Sequence, residues 1–75
     1  MNDSLPAVVD VTVSGGGTVY LFHLLTQEAR AWVDEHVVGE RHMLGTGLAV
    51  EHRYAGPLVT GMTSDGLIVR DAEDF

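Results

Sequence analysis

With 75 residues, an apolar share of 45% and eleven acidic residues against four basic ones, all arginine, the chain is long enough for one hydrophobic core and too short for two. The absence of cysteine excludes disulfides, thiolate metal sites and a thiol nucleophile, and a net charge of −7 opposes direct binding to nucleic-acid phosphates. No apolar run approaches the ~18 residues of a membrane span, and Met1 to Pro6 carries no positive region ahead of an apolar one, so the expectation is one cytoplasmic domain over 1–75, flexible at 1–6 and 71–75.

Ala7 to Val13 alternates, with Val9, Val11 and Val13 on one side and Asp10 and Thr12 on the other, which predicts a half-buried strand. Ser14-Gly15-Gly16-Gly17 supplies the positive φ angles of a hairpin turn, and Thr18 to Leu24 follows as an antiparallel partner. This second strand is apolar on both sides, Val19, Leu21 and His23 on one and Tyr20, Phe22 and Leu24 on the other. Such a strand is central in a sheet, or has its second face covered by another molecule.

Thr26 is a good N-cap and Glu28 suits the positive end of a helix dipole. A helix is expected from Gln27 to Val38, with Ala29, Trp32, Val33, His36 and Val37 on one stripe and Glu28, Arg30, Ala31, Asp34 and Glu35 opposite. Trp32 is expected to anchor it to the sheet, and Gly39 to stop it. Met43 to Val50 reads as a short strand or strand pair broken at Gly45 and Gly47. A second helix is placed from Ala55 to Pro57 at its start to Ser64 at its end, because proline is tolerated in the first turn; Asp65-Gly66 closes it and Leu67-Ile68-Val69 is the last strand. The sum is an α+β fold in the order β-β-α-β-α-β, a small mixed sheet with two helices packed on one face and the other face open.

Motifs that carry chemistry are scarce. The Ser14–Thr18 loop is followed by β-branched residues rather than a helix, and the chain has no lysine, so it reads as a turn and not as a phosphate cradle. His36, Glu40 and His42 have metal-ligand residue types at short spacing, but Gly39 interrupts the helix between them. No serine sits in a G-x-S-x-G elbow and no H-E-x-x-H is present. Asp34 and Glu35 are adjacent on the polar side of a helix, where carboxylates are solvated rather than paired for acid and base work. Glu51-His52-Arg53-Tyr54 is the densest polar and aromatic run, at a strand end.

Three runs, Trp32-Val33-Asp34-Glu35-His36, Ala49-Val50-Glu51-His52-Arg53-Tyr54 and Asp65-Gly66-Leu67-Ile68-Val69-Arg70, resemble the W-V-x-E-H, A-V-E-H-R-Y and D-G-L-x-V-R runs of a set of small bacterial and phage-associated proteins. The resemblance covers Thr18 to Arg70 and excludes the first strand and Pro57. That set has no assigned function, so the resemblance implies only an accessory protein of bacterial or mobile genomes.

These features favour a non-enzymatic, acidic protein-protein interaction module over a catalyst, with no cofactor and no metal. Its narrow form is an anti-CRISPR-like inhibitor from a phage or mobile element that blocks a nucleic-acid-binding complex without touching nucleic acid itself. The expected partner-binding residues are Asp34, Glu35, Glu40, Tyr20, Phe22, Glu51, His52 and Arg53. Two alternatives stand beside it: a small metal-binding or enzymatic subunit using His36, Glu40, His42 and His52, and a structural homodimer.

Overall fold

A computed structural model describes residues 8–37 and 42–72. In chain order these form β1 (Val11–Gly16), β2 (Val19–Leu24), α1 (Gln27–His36), β3 (His42–Leu44), β4 (Gly47–Glu51), α2 (His52–Ser64) and β5 (Val69–Asp71). The strands make one mixed sheet in the order β3-β4-β2-β1-β5, in which β1 and β5 run parallel and the other neighbours antiparallel. This is the expected α+β architecture, with β2 in the middle and the 43–50 region resolved as a strand pair.

Alternation along the strands decides where the core lies. Val11, Phe22, Leu24, Leu48 and Val50 point to one face, and Ala29 and Val33 of α1 with Ala55 and Met62 of α2 complete a single buried cluster on it. Both helices therefore cover the same face. The other face carries Thr12, Ser14, Val19, Leu21, His23, Ala49 and Glu51, which share rows through the β1–β2 and β2–β4 registers.

This orientation corrects the expectation for β2. Tyr20 and Phe22 were assigned to a surface for a partner, yet Phe22 is fully buried under the helices and Tyr20 packs half-buried against the same core. The larger aromatic side was drawn to the helix layer because it offers more apolar area to remove from water. The side left open is the one with Val19, Leu21 and His23.

Element ends depart from expectation in four places. The first strand lies further along the chain than Ala7 to Val13: Ser14, Gly15 and Gly16 stay in β1, paired with Leu21, Tyr20 and Val19, leaving Gly17-Thr18 as a two-residue turn. Helix α1 ends at His36, where the Val37 amide donates to the Val33 carbonyl; Val38 and Gly39 lie outside the described residues. Helix α2 begins at His52, so Pro57 falls in its second turn, where an exposed proline forgoes a single i→i−4 bond. The last strand, expected over Leu67-Ile68-Val69, is instead Val69–Asp71, so Asp71, expected in a flexible tail, belongs to β5, while 1–6 and 73–75 lie outside the described residues.

The caps follow the sequence closely. Thr26 Oγ1 accepts from the Ala29 amide at 3.1 Å, closing the first turn of α1. At the end of α2 the Leu67 amide donates to the Met62 carbonyl at 3.0 Å and the Gly66 amide to the Thr63 carbonyl at 3.1 Å, with Gly66 at φ +94°. That is the pair of bonds of a Schellman stop, and half-buried Leu67 packs back on the core as the motif requires.

Candidate functional site

Helix α1 presents two sides that its sequence separates by azimuth. Ala29 and Val33 go into the core, while Glu28, Ala31 and Glu35 fall at i, i+3 and i+7 and form a row along the side facing the end of α2. Between that row and the α2 stop lies an open groove of about 390 Å³ lined by Asp10, Glu28, Ala31, Trp32, Glu35, Asp65, Gly66 and Leu67. Four of those residues are carboxylates and none is basic.

Two of the four carboxylates are held in place by the fold. Asp65, the C-cap of α2, accepts the Trp32 indole N–H at 2.6 Å, and Trp32 lies against Gly61 one turn earlier, where an added Cβ would stand 3.3 Å from the ring. The His36 imidazole stacks on Trp32 at 4.2 Å and 14°, donates from Nδ1 to the Trp32 carbonyl at 2.9 Å, and brings Nε2 to 3.6 Å from Asp65. Trp32 thus ties α1 to the end of α2 while it packs half-buried against the core. Asp10 accepts from Thr26 Oγ1 at 2.7 Å and from the Ile68 amide at 2.9 Å, while its backbone joins Ile68 and Leu25. Glu28 and Glu35 remain exposed on the groove wall.

The expected site residues separate into distinct places. Asp34 and Glu35 are exposed on α1, but only Glu35 lines the groove; Glu40 lies outside the described residues. Glu51, His52 and Arg53 are exposed where β4 passes into α2: Glu51 and Arg53 form an ion pair at 3.2 Å, the Arg53 guanidinium sits 5.0 Å over the Tyr54 ring, and His52 tilts against Tyr20 at 5.9 Å. This second cluster meets the hairpin turn at Gly17 to Val19.

Of the residues grouped as a metal set, Glu40 lies outside the described residues, His36 and His42 line an apolar cleft of about 580 Å³ between α1, β4 and α2, and His52 belongs to the hairpin side; among the described residues no three His, Asp or Glu side chains come together to hold an ion.

Sequence reasoning missed Asp10 and Asp65 as site residues. Asp10 had a signal: a lone acid inside Val-Val-Asp-Val-Thr-Val, where a half-buried carboxylate takes hydrogen-bond partners. Asp65 had been read only as part of a helix stop. No known family model, curated protein or solved structure matches the chain.

Proposed function

We propose that the chain is a non-enzymatic binding module that presents the groove between α1 and the end of α2 to a cationic segment of a protein partner. The observation that carries this reading is the lining of that groove: Glu28, Glu35, Asp65 and Asp10 on the walls, no basic side chain among them, and the Trp32 indole at the side. Exposed carboxylates contribute about 0 to 1 kcal/mol each, but several converging on arginines or lysines steer encounter and fix register. The core and the caps hold the groove's walls in place before a partner arrives, which lowers the ordering cost of binding.

In its narrow form the module is an inhibitor that occupies the arginines and lysines with which a nucleic-acid-binding complex grips phosphates. The acidic groove and the small size support that form. A fluorescent arginine-rich peptide is the direct probe. Saturable anisotropy that weakens with added salt, absent for a glutamate-rich peptide of equal length, is the expected result; equal binding of the two peptides, or of neither, refutes the reading.

A further inference from the structure

The sheet face turned away from the helices has its own charge pattern. Among its strand residues Glu51, at the end of β4, is the one carboxylate and Arg70, in the edge strand β5, is the one guanidinium. Between them lie Leu21, Ala49, Thr12 and the bonded pair Ser14 and His23, 3.1 Å apart. Among the described residues no helix packs on this face.

We infer that this face is the self-association surface of the protein and that its occupant is a second copy of the same chain. Glu51 and Arg70 are separated by three strand spacings and four residues along the strands, so at about 4.8 Å and 3.4 Å per step they stand roughly 20 Å apart on a diagonal. A two-fold axis in the plane of the face, bisecting that diagonal, passes between Leu21 and Ser14. It brings each Glu51 over the other copy's Arg70 and each Leu21 over the other's Ser14 and His23. Because the diagonal lies near 45° to the strands, the two sheets cross close to a right angle, which is one of the two ways sheets pack face to face. The contact is isologous and closed, so it stops at a dimer.

The Glu51–Arg53 ion pair does not oppose this, since both side chains are largely exposed and the carboxylate has lone pairs to share. β1, β2 and β4, five to six residues long, and the three-residue edge strands β3 and β5, all about 4.8 Å apart, give a face roughly 24 Å across that is about 18 Å deep in the middle and about 10 Å at its edges, below the standard interface size, so the dimer is weak. Its helix layers point outward, so both acidic grooves stay open and a dimer can engage two cationic segments at once.

Sedimentation equilibrium over a concentration series reaching about 500 µM tests this, with dissociation expected in the range of about 10 to 500 µM for an interface of this size. Glu51→Arg and Arg70→Glu, each placing like charges together, are expected to weaken the dimer at least about tenfold, and the double variant, which restores opposite charges across the axis, to recover it to within a few-fold. Circular dichroism confirms that each variant is folded. Leu21→Lys gives a second readout at the centre of the face and is expected to be monomeric. A wild-type chain that stays monomeric throughout, or single variants that dimerise as well as wild type, overturns the inference. So does loss in both single variants without recovery in the double.

Discussion

Trp32 on α1 donates its indole N–H to Asp65, the residue that caps the end of α2, at 2.6 Å, joining the two helices through residues 33 positions apart along the chain. A charge-assisted bond of this length is stronger than a neutral one, and the ring's stacking on His36 and contact with Gly61 hold it in place. Trp32→Phe keeps most of the ring area but loses the donor, leaving Asp65 with one partner fewer. We expect a loss of about 1 to 2 kcal/mol in urea denaturation for Trp32→Phe and about 3 to 5 kcal/mol for Trp32→Ala, enough to unfold much of a domain this size. A Trp32→Phe variant as stable as wild type means the bond contributes nothing in solution.

Asp10 joins three parts of the chain: the entry to β1, the start of α1 through Thr26, and the entry to β5 through Ile68. Asp10→Ala leaves the Ile68 amide and the Thr26 hydroxyl without their acceptor, and half-buried donors left unpaired are costly. The expected loss is about 2 to 3 kcal/mol, with Thr26→Ala alone at about 1 kcal/mol for the lost cap. Because the two side chains bond each other, the double variant is expected to be less destabilised than the sum of the singles. Thermal or urea melts of the four proteins close the cycle, and strict additivity contradicts the shared network.

Gly66 stands at φ +94°, a conformation that the Schellman stop requires and that L side chains rarely adopt. Space is not the obstacle, because an added Cβ would meet nothing within 4 Å. Gly66→Ala is therefore expected to cost about 1 to 2 kcal/mol through backbone strain alone, and Gly66→Asn less than Gly66→Ala. Equal melting of the three proteins would place this turn in another conformation.

The parts of the fold that could be read from the sequence are those set by local chemistry. Thr26 caps α1, Gly66 stops α2, the Val11–Val13 and Val19–Leu24 patterns are strands, and both helices pack on one face. What depended on distant partners was not legible. Both sides of β2 are apolar, so nothing local says which faces the helices, and Phe22 and Tyr20 went to the wrong one. Ser14 to Gly16 read as a turn by composition, but pairing with Val19 to Leu21 kept them extended. Pro57 read as part of the first turn of a helix starting between Ala55 and Pro57, whereas α2 begins at His52, its amide bonded to the Thr18 carbonyl and Ala55 buried in its first turn. Glu35 was legible as an exposed helical carboxylate, and the structure places it on the candidate groove. Asp10 and Asp65 reach it only through contacts 16 to 58 residues away in sequence.

The groove makes a specific demand on the acidic residues of α1. Glu28 and Glu35 line it, while Asp34, one residue before Glu35 and so about 100° away around the helix, does not. Sequence alone had paired Asp34 with Glu35 as equal candidates. If a cationic partner enters the groove, Glu28→Lys with Glu35→Lys is expected to slow association with an arginine-rich peptide and flatten its salt dependence, since two attractive charges become repulsive at the contact itself. Asp34→Lys changes the net charge by the same amount per residue as either reversal but sits off the groove, so its effect is expected to be the small one of general attraction, screened beyond a Debye length of about 8 to 10 Å. Stopped-flow association rates at several ionic strengths separate the two cases. Equal slowing by Glu35→Lys and Asp34→Lys shows that total charge matters and the groove does not; a rate that neither variant changes leaves the carboxylates of α1 with solubility as their role and moves the contact to another surface.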